Sequence, residues 1–294
     1  MEICRDHLAR ALAQIDPGYT LVSVRPLSRR AQLLVVSARD QATEPLALLS
    51  HSPADRLGNP DIARDEFRLL TTLRQGELAV AQPLYLALDH APPYFIVSWL
   101  PGSPRHSADD RLAFCRRLAA LLSEIHAFSL ASCDLSYLSQ QADRLTEYLG
   151  ATKPAGEPIH DAMRQSAHSI KPNATVLLHG DFWLGNLLWQ GDKLSGVIDW
   201  EDAMLGDPLA DLGKSRLEML WALGEAAMAD YTKAYLALNP QLNASALPFW
   251  DLWGAARLAH YASFASDPGR VAAMRRRYKS FVRAAIDALA VGQE

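Results

Sequence analysis

Residues 175–189 read TVLLHGDFWLGNLLW, and after a Gly-Asp turn residues 194–201 read LSGVIDWE. The apolar run at the start of the first stretch leads to Asp181, and Asn186 follows five residues later. The apolar run in the second stretch leads to Asp199 in the same way. Two carboxylates and one amide therefore stand where predicted strands end and loops begin, which is where binding and catalytic groups commonly lie.

These residue types and their spacing suit phosphoryl transfer. A carboxylate such as Asp181 can orient an acceptor hydroxyl and accept its proton, while the oxygens of Asn186 and Asp199 can hold a magnesium ion that bridges phosphates. A zinc hydrolase built on His179 fits less well, because such a site needs about three protein ligands and the sequence has no H-x-x-x-H pair. The sequence also lacks the G-x-S-x-G pattern of a serine nucleophile.

Three motifs in this region resemble the aminoglycoside phosphotransferase family, a kinase-like group that also contains choline kinases and macrolide kinases. They are H-G-D-x-x-x-x-N at 179–186, I-D-W-E at 198–201 and G-D-P-x-x-D-L at 206–212. The resemblance implies an α+β fold with two lobes, like that of protein kinases: a small antiparallel-sheet N-terminal lobe and a larger, mainly helical C-terminal lobe. It also implies that the γ-phosphoryl group of ATP or GTP passes to a hydroxyl of a small molecule, with Asp181 as the catalytic residue and Mg²⁺ on Asn186 and Asp199.

Composition excludes several other classes of protein. The chain has 294 residues, 29 of them basic and 33 acidic, for a formal net charge of −4, so we expect no nucleic-acid partner. Three cysteines without paired spacing argue against a disulfide framework and a zinc site. We find neither a signal-peptide core nor a long uncharged apolar run, so we expect a cytoplasmic protein with no membrane partner. The oligomeric state has no signature in the sequence.

The order of predicted elements changes near residue 100. Residues 1–100 show a helix at 2–15, short strands at 19–24, 31–38, 45–50, 80–88 and 94–99, and a helix from Asn59, its predicted N-cap, to about residue 74. Residues 101–294 are mainly helical, with Leu112 on the inner face of a long helix at 108–129. We therefore expect a nucleotide-binding lobe at 1–100 and a helical lobe with the catalytic loop and substrate pocket at 101–294. The resemblance makes the segment around Ser98 and Leu100 the hinge, whose backbone would receive the adenine.

The turn between the first two strands departs from the family's pattern. It reads PLSRRAQ at 26–32, with no glycine, so the backbone cannot approach phosphates as closely as a glycine-rich loop does. Ser28, Arg29 and Arg30 can contact phosphates with their side chains instead. An exposed, charged hairpin turn explains the same residues equally well.

The third strand also lacks the lysine that kinase-like folds place there to contact phosphates and pair with a glutamate on the next helix. Leu49 occupies that position, and we expect His51, the nearest candidate, to lie on the opposite face of the strand. Glu66 lies on the apolar stripe of its helix, where an unpaired carboxylate is costly. Either an arginine from elsewhere reaches it, with Arg29, Arg30 and Arg39 as candidates, or Glu66 meets solvent.

Two functions are consistent with these features. Asp181, Asn186 and Asp199 favour an ATP- or GTP-dependent small-molecule kinase. Leu49 and the glycine-free turn favour a degenerate, catalytically silent protein that keeps the fold. The residues we expect in a substrate pocket are mostly aromatic, which favours a substrate less charged than a polycationic aminoglycoside: Trp250, Asp251, Trp253, His260 and Tyr261.

Overall fold

The structure is a computed structural model that describes residues 3–38, 42–51, 59–151, 157–259 and 267–291. It divides into two compact units. The first unit comprises Met1–Ser103 with Leu187–Glu201, and the second comprises Pro104–Asn186 with Asp202–Glu294. The division near residue 100 into a nucleotide-binding lobe and a catalytic lobe stays a prediction, because it concerns what each part binds.

An antiparallel sheet forms most of the first unit. Its strands, in the spatial order β1-β2-β3-β5-β4, are β1 (Thr20–Pro26), β2 (Ala31–Ser37), β3 (Thr43–Ser50), β4 (Pro83–Ala87) and β5 (Tyr94–Ser98). Along the short strands, buried and more exposed residues alternate or the strand is buried nearly throughout, as expected for a sheet that packs against other elements. Helix α1 (Arg5–Ile15) buries Leu8 and Leu12 against the sheet residues Leu34 and Leu48.

Helix α2 (Ile62–Gln75) follows β3 and carries Glu66. Its N-cap is Asp61 and not Asn59. Asn59 stands two residues earlier, where its side-chain oxygen accepts from the Asp61 amide at 2.8 Å and its Nδ2 donates to Asp65 at 2.8 Å. The buried residues of α2 recur at helical spacing, and they include Leu69, Leu70 and Leu73 beside Glu66. The carboxylate is therefore held on the inner face of its helix.

A hairpin of β9 (Leu187–Gln190) and β10 (Lys193–Val197) also belongs to the first unit. Val197 is tied to the preceding part of this unit, because its amide donates to the Ala79 carbonyl at 2.7 Å. The strand ends there, and Asp199 follows with a left-handed backbone, φ 66°. Aspartate tolerates this conformation better than most residues, so the chain can turn sharply and present the Asp199 carboxylate beyond the strand end.

The second unit is mainly helical. Its helices are α3 (Arg111–His126), α4 (Gln141–Gly150), α5 (Pro158–Ser166), α6 (Leu209–Leu223), α7 (Glu225–Leu238), α8 (Leu247–Leu258) and α9 (Pro268–Val291). Short strands β7 (Ser139–Gln140), β8 (Val176–Leu178) and β11 (Met204–Gly206) form a small sheet. Strand β6 (Ser103–Pro104) stands in the chain where the first segment of the first unit ends. The antiparallel N-terminal sheet and the helical remainder confirm the predicted α+β kinase-like fold class.

The inner face of α3 differs in one position from the prediction. Leu112 is 40% exposed, while Phe114, Leu118 and Leu122 are buried. Asp110 caps the helix by accepting from the Ala113 amide at 2.9 Å, so α3 starts later than predicted and its first turn faces outward. Within the described residues, no helix is both long and apolar enough to cross a membrane.

Candidate functional site

The backbone of the loop that carries Asp181 is held by hydrogen bonds to Asp211. One oxygen of the Asp211 carboxylate accepts from the His179 amide at 2.7 Å and the other from the Gly180 amide at 2.9 Å. His126 approaches the same carboxylate at 3.4 Å. Burial alone would raise the pKa of Asp211, but its bonds to His126 and His179 hold that pKa below the ordinary value. A buried, ionised aspartate thus fixes the backbone directly before Asp181.

Gly180 is a position in this loop that requires glycine. Its φ is +79°, and a Cβ atom there would overlap the carbonyl oxygen of Asp202. Other residues are strained in this backbone conformation and would also collide. His179 completes the brace, because its Nδ1 accepts from the Asp181 amide at 3.1 Å. The backbone around Asp181 is therefore fixed by packing and by hydrogen bonds.

Asn186 holds one oxygen of the Asp181 carboxylate. Its Nδ2 donates to Asp181 Oδ2 at 2.9 Å and to the Asp181 carbonyl at 2.9 Å. Because the amide nitrogen faces Asp181, the amide oxygen of Asn186 is the atom left to bind a cation. An oxygen ligand is what Mg²⁺ requires, so Asn186 fits the predicted role as a metal ligand.

Lys214 holds the other oxygen of Asp181. Its Nζ forms an ion pair with Asp181 Oδ1, and Glu218, one helical turn further along α6, lies 3.6 Å from the same ammonium. Lys214 is 4% exposed and Glu218 7%. Burial alone would raise the pKa of Asp181, but the charge and hydrogen bond of Lys214, together with His179 and Arg257, bring it below the ordinary value. Asp181 is therefore an ionised carboxylate.

Arg257 from α8 supports the same loop from another side. Its guanidinium donates to the Gly180 carbonyl at 2.9 Å and to Asp202 Oδ2 at 2.8 Å. Arg144 of α4 lies 3.9 Å from the other oxygen of Asp202. The loop is thus tied directly to two helices of the second unit, α6 and α8.

In the first unit, Arg30 supplies the cation that strand β3 lacks. Its NH2 lies 3.5 Å from Glu66 Oε2, and Glu66 is 4% exposed. Burial alone would raise the pKa of Glu66, but the hydrogen bond from His51 and the charge of Arg30 lower it, and the Trp200 amide contributes further. Of the candidates for this pairing, Arg30 reaches the glutamate, and Arg39 lies outside the described residues.

His51 also faces Glu66, with Nε2 2.9 Å from Oε2. The prediction that His51 lies on the opposite face of the strand is wrong. Strand β3 ends at Ser50, and His51 follows two residues after Leu49, so the two side chains leave the chain on the same side. His51 is fully buried and stacks on Phe95 at 5.9 Å between ring centroids.

Arg30 contacts two further carboxylates of the first unit. Its NH1 is 3.3 Å from Asp199 Oδ1 and forms an ion pair with Glu201. Three carboxylates thus converge on one guanidinium, since Glu66 is the third. The side chain of Asp199, 39% exposed, is the most accessible of the three, and a carboxylate oxygen is a ligand type that Mg²⁺ accepts. Asp199 therefore fits the predicted role as a metal ligand.

The turn between β1 and β2 is organised by Ser28. Its Oγ accepts from the Arg30 amide at 3.2 Å and from the Ala31 amide at 3.1 Å, so the hydroxyl shapes the turn. Arg29 is exposed, whereas Arg30 is half-buried and directed at Glu66. The two neighbouring arginines therefore differ, and the turn is more than a solvated hairpin.

The predicted hinge follows β5. Ser98 ends that strand, and its Oγ accepts from the Gln82 amide at 2.9 Å while its own amide donates to the Gln82 carbonyl at 2.9 Å. Leu100 stands two residues later, with its side chain against Gly196. Leu49 pairs with Ala31 and Phe95 across the sheet. Adenine binding by the backbone near Ser98 and Leu100 stays a prediction.

The residues predicted for a substrate pocket are largely core. Trp250 and Trp253 are 3% and 5% exposed. Asp251 forms a two-pronged ion pair with Arg216, at 2.9 Å and 3.2 Å. Arg216 and Lys214 are two positions apart on α6, about 200° around the helix axis, so Asp251 lies on the face of α6 opposite to Asp181. His260 and Tyr261 lie outside the described residues.

Sequence reasoning missed Lys214, Arg257 and the direction of His51. A lysine within the mainly apolar α6 was a usable signal, because Lys214 stands among nine apolar or small residues that are buried with it. Arg257 had no comparable signal, since it lies at the end of α8 and contacts residues 55 and 77 positions away.

A family model described as the phosphotransferase enzyme family (APH) matches residues 25–253, more than half of the chain. The chain is 28% identical over 173 residues to mouse (Mus musculus) acyl-CoA dehydrogenase family member 10, which covers 52% of this chain and 16% of that protein. It is 29% identical over 160 residues to viomycin phosphotransferase of Streptomyces vinaceus, covering 45% of this chain and 55% of that protein. The chain thus spans about half or less of these curated relatives.

The fold is similar to that of a solved amicoumacin kinase in complex with AMP-PNP, Ca²⁺ and Ami. The TM-score is 0.62 at 14% identity, and the match covers 95% of this chain and 93% of the kinase. The kinase therefore shares the fold, and its complex contains a nucleotide, a metal ion and a small molecule.

Proposed function

The chain belongs to the phosphotransferase enzyme family (APH), and we propose that it transfers the γ-phosphoryl group of ATP or GTP to a hydroxyl of a small molecule. The observation that carries the proposal is the Asp181 carboxylate. It is ionised, both its oxygens are held, and its loop is braced by Asp211. A carboxylate prepared in this way suits the orientation of an acceptor hydroxyl.

In the proposed reaction, the acceptor hydroxyl donates its hydrogen bond to Asp181. The acceptor oxygen attacks the γ-phosphorus, the bond from that phosphorus to the β-bridging oxygen breaks, and the nucleoside diphosphate leaves with the electron pair. The hydroxyl proton passes to Asp181. Because the transition state of such transfers is loose, positioning of the hydroxyl contributes more than strong basicity, which agrees with a carboxylate whose pKa is below its ordinary value.

The first unit would bind the nucleotide. Arg30 is proposed to contact the phosphates while Glu66 and His51 hold it in place, the role that a strand lysine and its glutamate have in other kinase-like proteins. Ser28 would keep the turn in shape, Arg29 would add charge at its surface, and the backbone near Ser98 and Leu100 would receive the base. Asn186 and Asp199 are proposed as the protein ligands of Mg²⁺, which when bound neutralises charge on the phosphates.

The proposal is tested by incubating the protein with MgATP or MgGTP and a panel of small alcohols, sugars and hydroxy acids, and by mass spectrometry of the products. We expect one or more acceptors to gain a phosphoryl group with stoichiometric release of the nucleoside diphosphate, and Asp181→Asn to lose this activity. Nucleotide binding seen by thermal shift, with no transfer to any acceptor or to water, would identify a catalytically silent binding protein instead. That alternative is favoured by Leu49 and the glycine-free turn.

A further inference from the structure

We propose that Lys214 is a positioning residue for Asp181, and that Glu218 holds Lys214 in place. The inference rests on the proposed function, since it concerns how the catalytic carboxylate is oriented. Neither residue belongs to the three motifs that mark the catalytic segment, because Lys214 follows the last motif by two positions.

The argument begins with the two oxygens of Asp181. Asn186 donates to Oδ2, and Lys214 pairs with Oδ1. With both oxygens held, the carboxylate cannot rotate about its last side-chain bond. Each carboxylate oxygen has a second lone pair, so an acceptor hydroxyl can still donate to it. The carboxylate therefore presents one orientation to the acceptor, and Lys214 supplies half of that constraint.

The backbone of Lys214 is fixed by a close helix crossing. A Cβ atom on Gly254 of α8 would stand 2.6 Å from Lys214 Cα and 2.7 Å from its backbone nitrogen. The absence of that Cβ lets α8 lie directly on α6. Glu218 lies 3.6 Å from the same ammonium. A buried ammonium without its partners is costly, so Lys214 depends on the carboxylates of Asp181 and Glu218.

Stability alone does not account for this arrangement. Buried ion pairs can often be replaced by apolar residues of similar volume without loss of stability. Lys214 instead directs its charge at the carboxylate of the proposed catalytic residue, which is 25% exposed and accessible to a ligand. The cost of burying the lysine is explained if the orientation of Asp181 depends on it.

The test compares Lys214→Met, which keeps the length of the side chain, with Lys233→Met, an exposed lysine on α7. The assay measures transfer from MgATP to water and to each acceptor found in the screen above, with circular dichroism and melting temperature as checks of folding. We expect Lys214→Met to lower kcat by about 10²-fold with little change in KM for ATP, because misplacing a reacting group by about 1 Å has an effect of that size. Lys233→Met should behave as wild type.

A second variant keeps the test independent of any defect in packing. Lys214→Ala leaves a space that propylammonium fits, and we expect added propylammonium to restore kcat in proportion to its concentration. Tetramethylammonium at the same ionic strength cannot donate hydrogen bonds and should not restore it. A residue that acted on folding alone would not show this difference.

The outcomes separate the two proposals. The positioning role would be overturned if folded Lys214→Met had the kcat of wild type. It would also be overturned if propylammonium and tetramethylammonium changed the kcat of Lys214→Ala equally. Either result would leave the proposed function intact. A wild-type protein that transfers phosphoryl groups to neither water nor any acceptor would overturn the proposed function, and this inference with it.

Discussion

The proposed catalytic loop of the second unit, which carries Asp181, and the proposed nucleotide turn of the first unit, residues 26–32, reach their arrangements by different routes. Around Asp181, the residues of the family's motifs meet one another, because Asn186 donates to the Asp181 carboxylate and Asp211 accepts from the His179 amide. Around Glu66, the lysine expected on β3 is absent, and Arg30 from the turn between β1 and β2 reaches the glutamate. The residues around Asp181 are specified by their spacing in the sequence. The ion pair of Glu66 instead requires only that a cationic side chain from some part of the unit be long enough to reach the carboxylate.

The largest expected effect concerns the loop of Asp181, whose sequence agrees with the family's motif. Asp181→Asn should lower kcat by about 10² to 10⁴, the usual contribution of a general base. Nucleotide affinity, measured by titration, should stay near wild type, because the nucleotide turn lies in the other unit. Asp109→Asn, at an exposed position, provides the control. Equal loss of affinity and kcat in Asp181→Asn would mean that the two regions do not have separate roles.

The second prediction concerns the turn at residues 26–32, whose sequence departs from the family's pattern. Arg30→Ala should weaken ATP binding by about tenfold to a hundredfold, since charged hydrogen bonds contribute about 1.5–3 kcal/mol. Arg64→Ala removes an exposed arginine whose partner is Asp61 on the helix surface, and it should have no such effect. Isothermal titration measures both affinities.

A double variant sharpens the same comparison. In Arg30→Ala with Leu49→Lys, the strand position would again carry the cation beside Glu66, and we expect part of the lost ATP affinity to return. Leu49→Lys alone should weaken binding, because the new ammonium competes with Arg30 for the same carboxylate. If the double variant binds ATP no better than Arg30→Ala, the two positions are not equivalent.

The third prediction concerns the packing beneath the catalytic loop. Gly254→Ala should lower the free energy of unfolding by about 1–3 kcal/mol, because the new methyl group meets the backbone of Lys214, which cannot give way easily. Gly150→Ala is the matched control, since a Cβ atom there meets nothing within 4 Å. Chemical denaturation measures both. A Gly254→Ala protein as stable as wild type would show that the α6–α8 crossing is loose.

The smallest effect concerns the opposite face of α6, where burial raises the pKa of Asp251 to about 6 against the attraction of Arg216. Its folded-state pKa lies above the ordinary value, so the folded protein binds more protons, and this group's contribution to stability falls as pH rises from about 4 to about 6. Lowering the pH from 7 to 5 should therefore gain about 1 kcal/mol from this group. The difference between melting curves of wild type and Asp251→Asn isolates it, and identical pH profiles would contradict the raised pKa.

Much of the fold follows from the sequence because its signals are local. The apolar periodicity of α2 and the Val- and Leu-rich runs of β2 and β3 identify those elements within a few residues. At the start of α2 the sequence was misleading, because the side chain of Asn59 makes other local hydrogen bonds. Asn59 looks like an N-cap, but its side chain is used by Asp61 and Asp65, so the helix begins later.

The sequence by itself determined the family motifs, the loop that carries Asp181 and the carboxylate that lies on the inner face of α2. Only the tertiary structure decided which cation meets each carboxylate. Arg30 and Glu66 are 36 positions apart, and Lys214 and Asp181 are 33 apart. Periodicity reports which face of a helix is buried, but an ion pair depends on which side chain from another element reaches that face, and local sequence does not encode that distance.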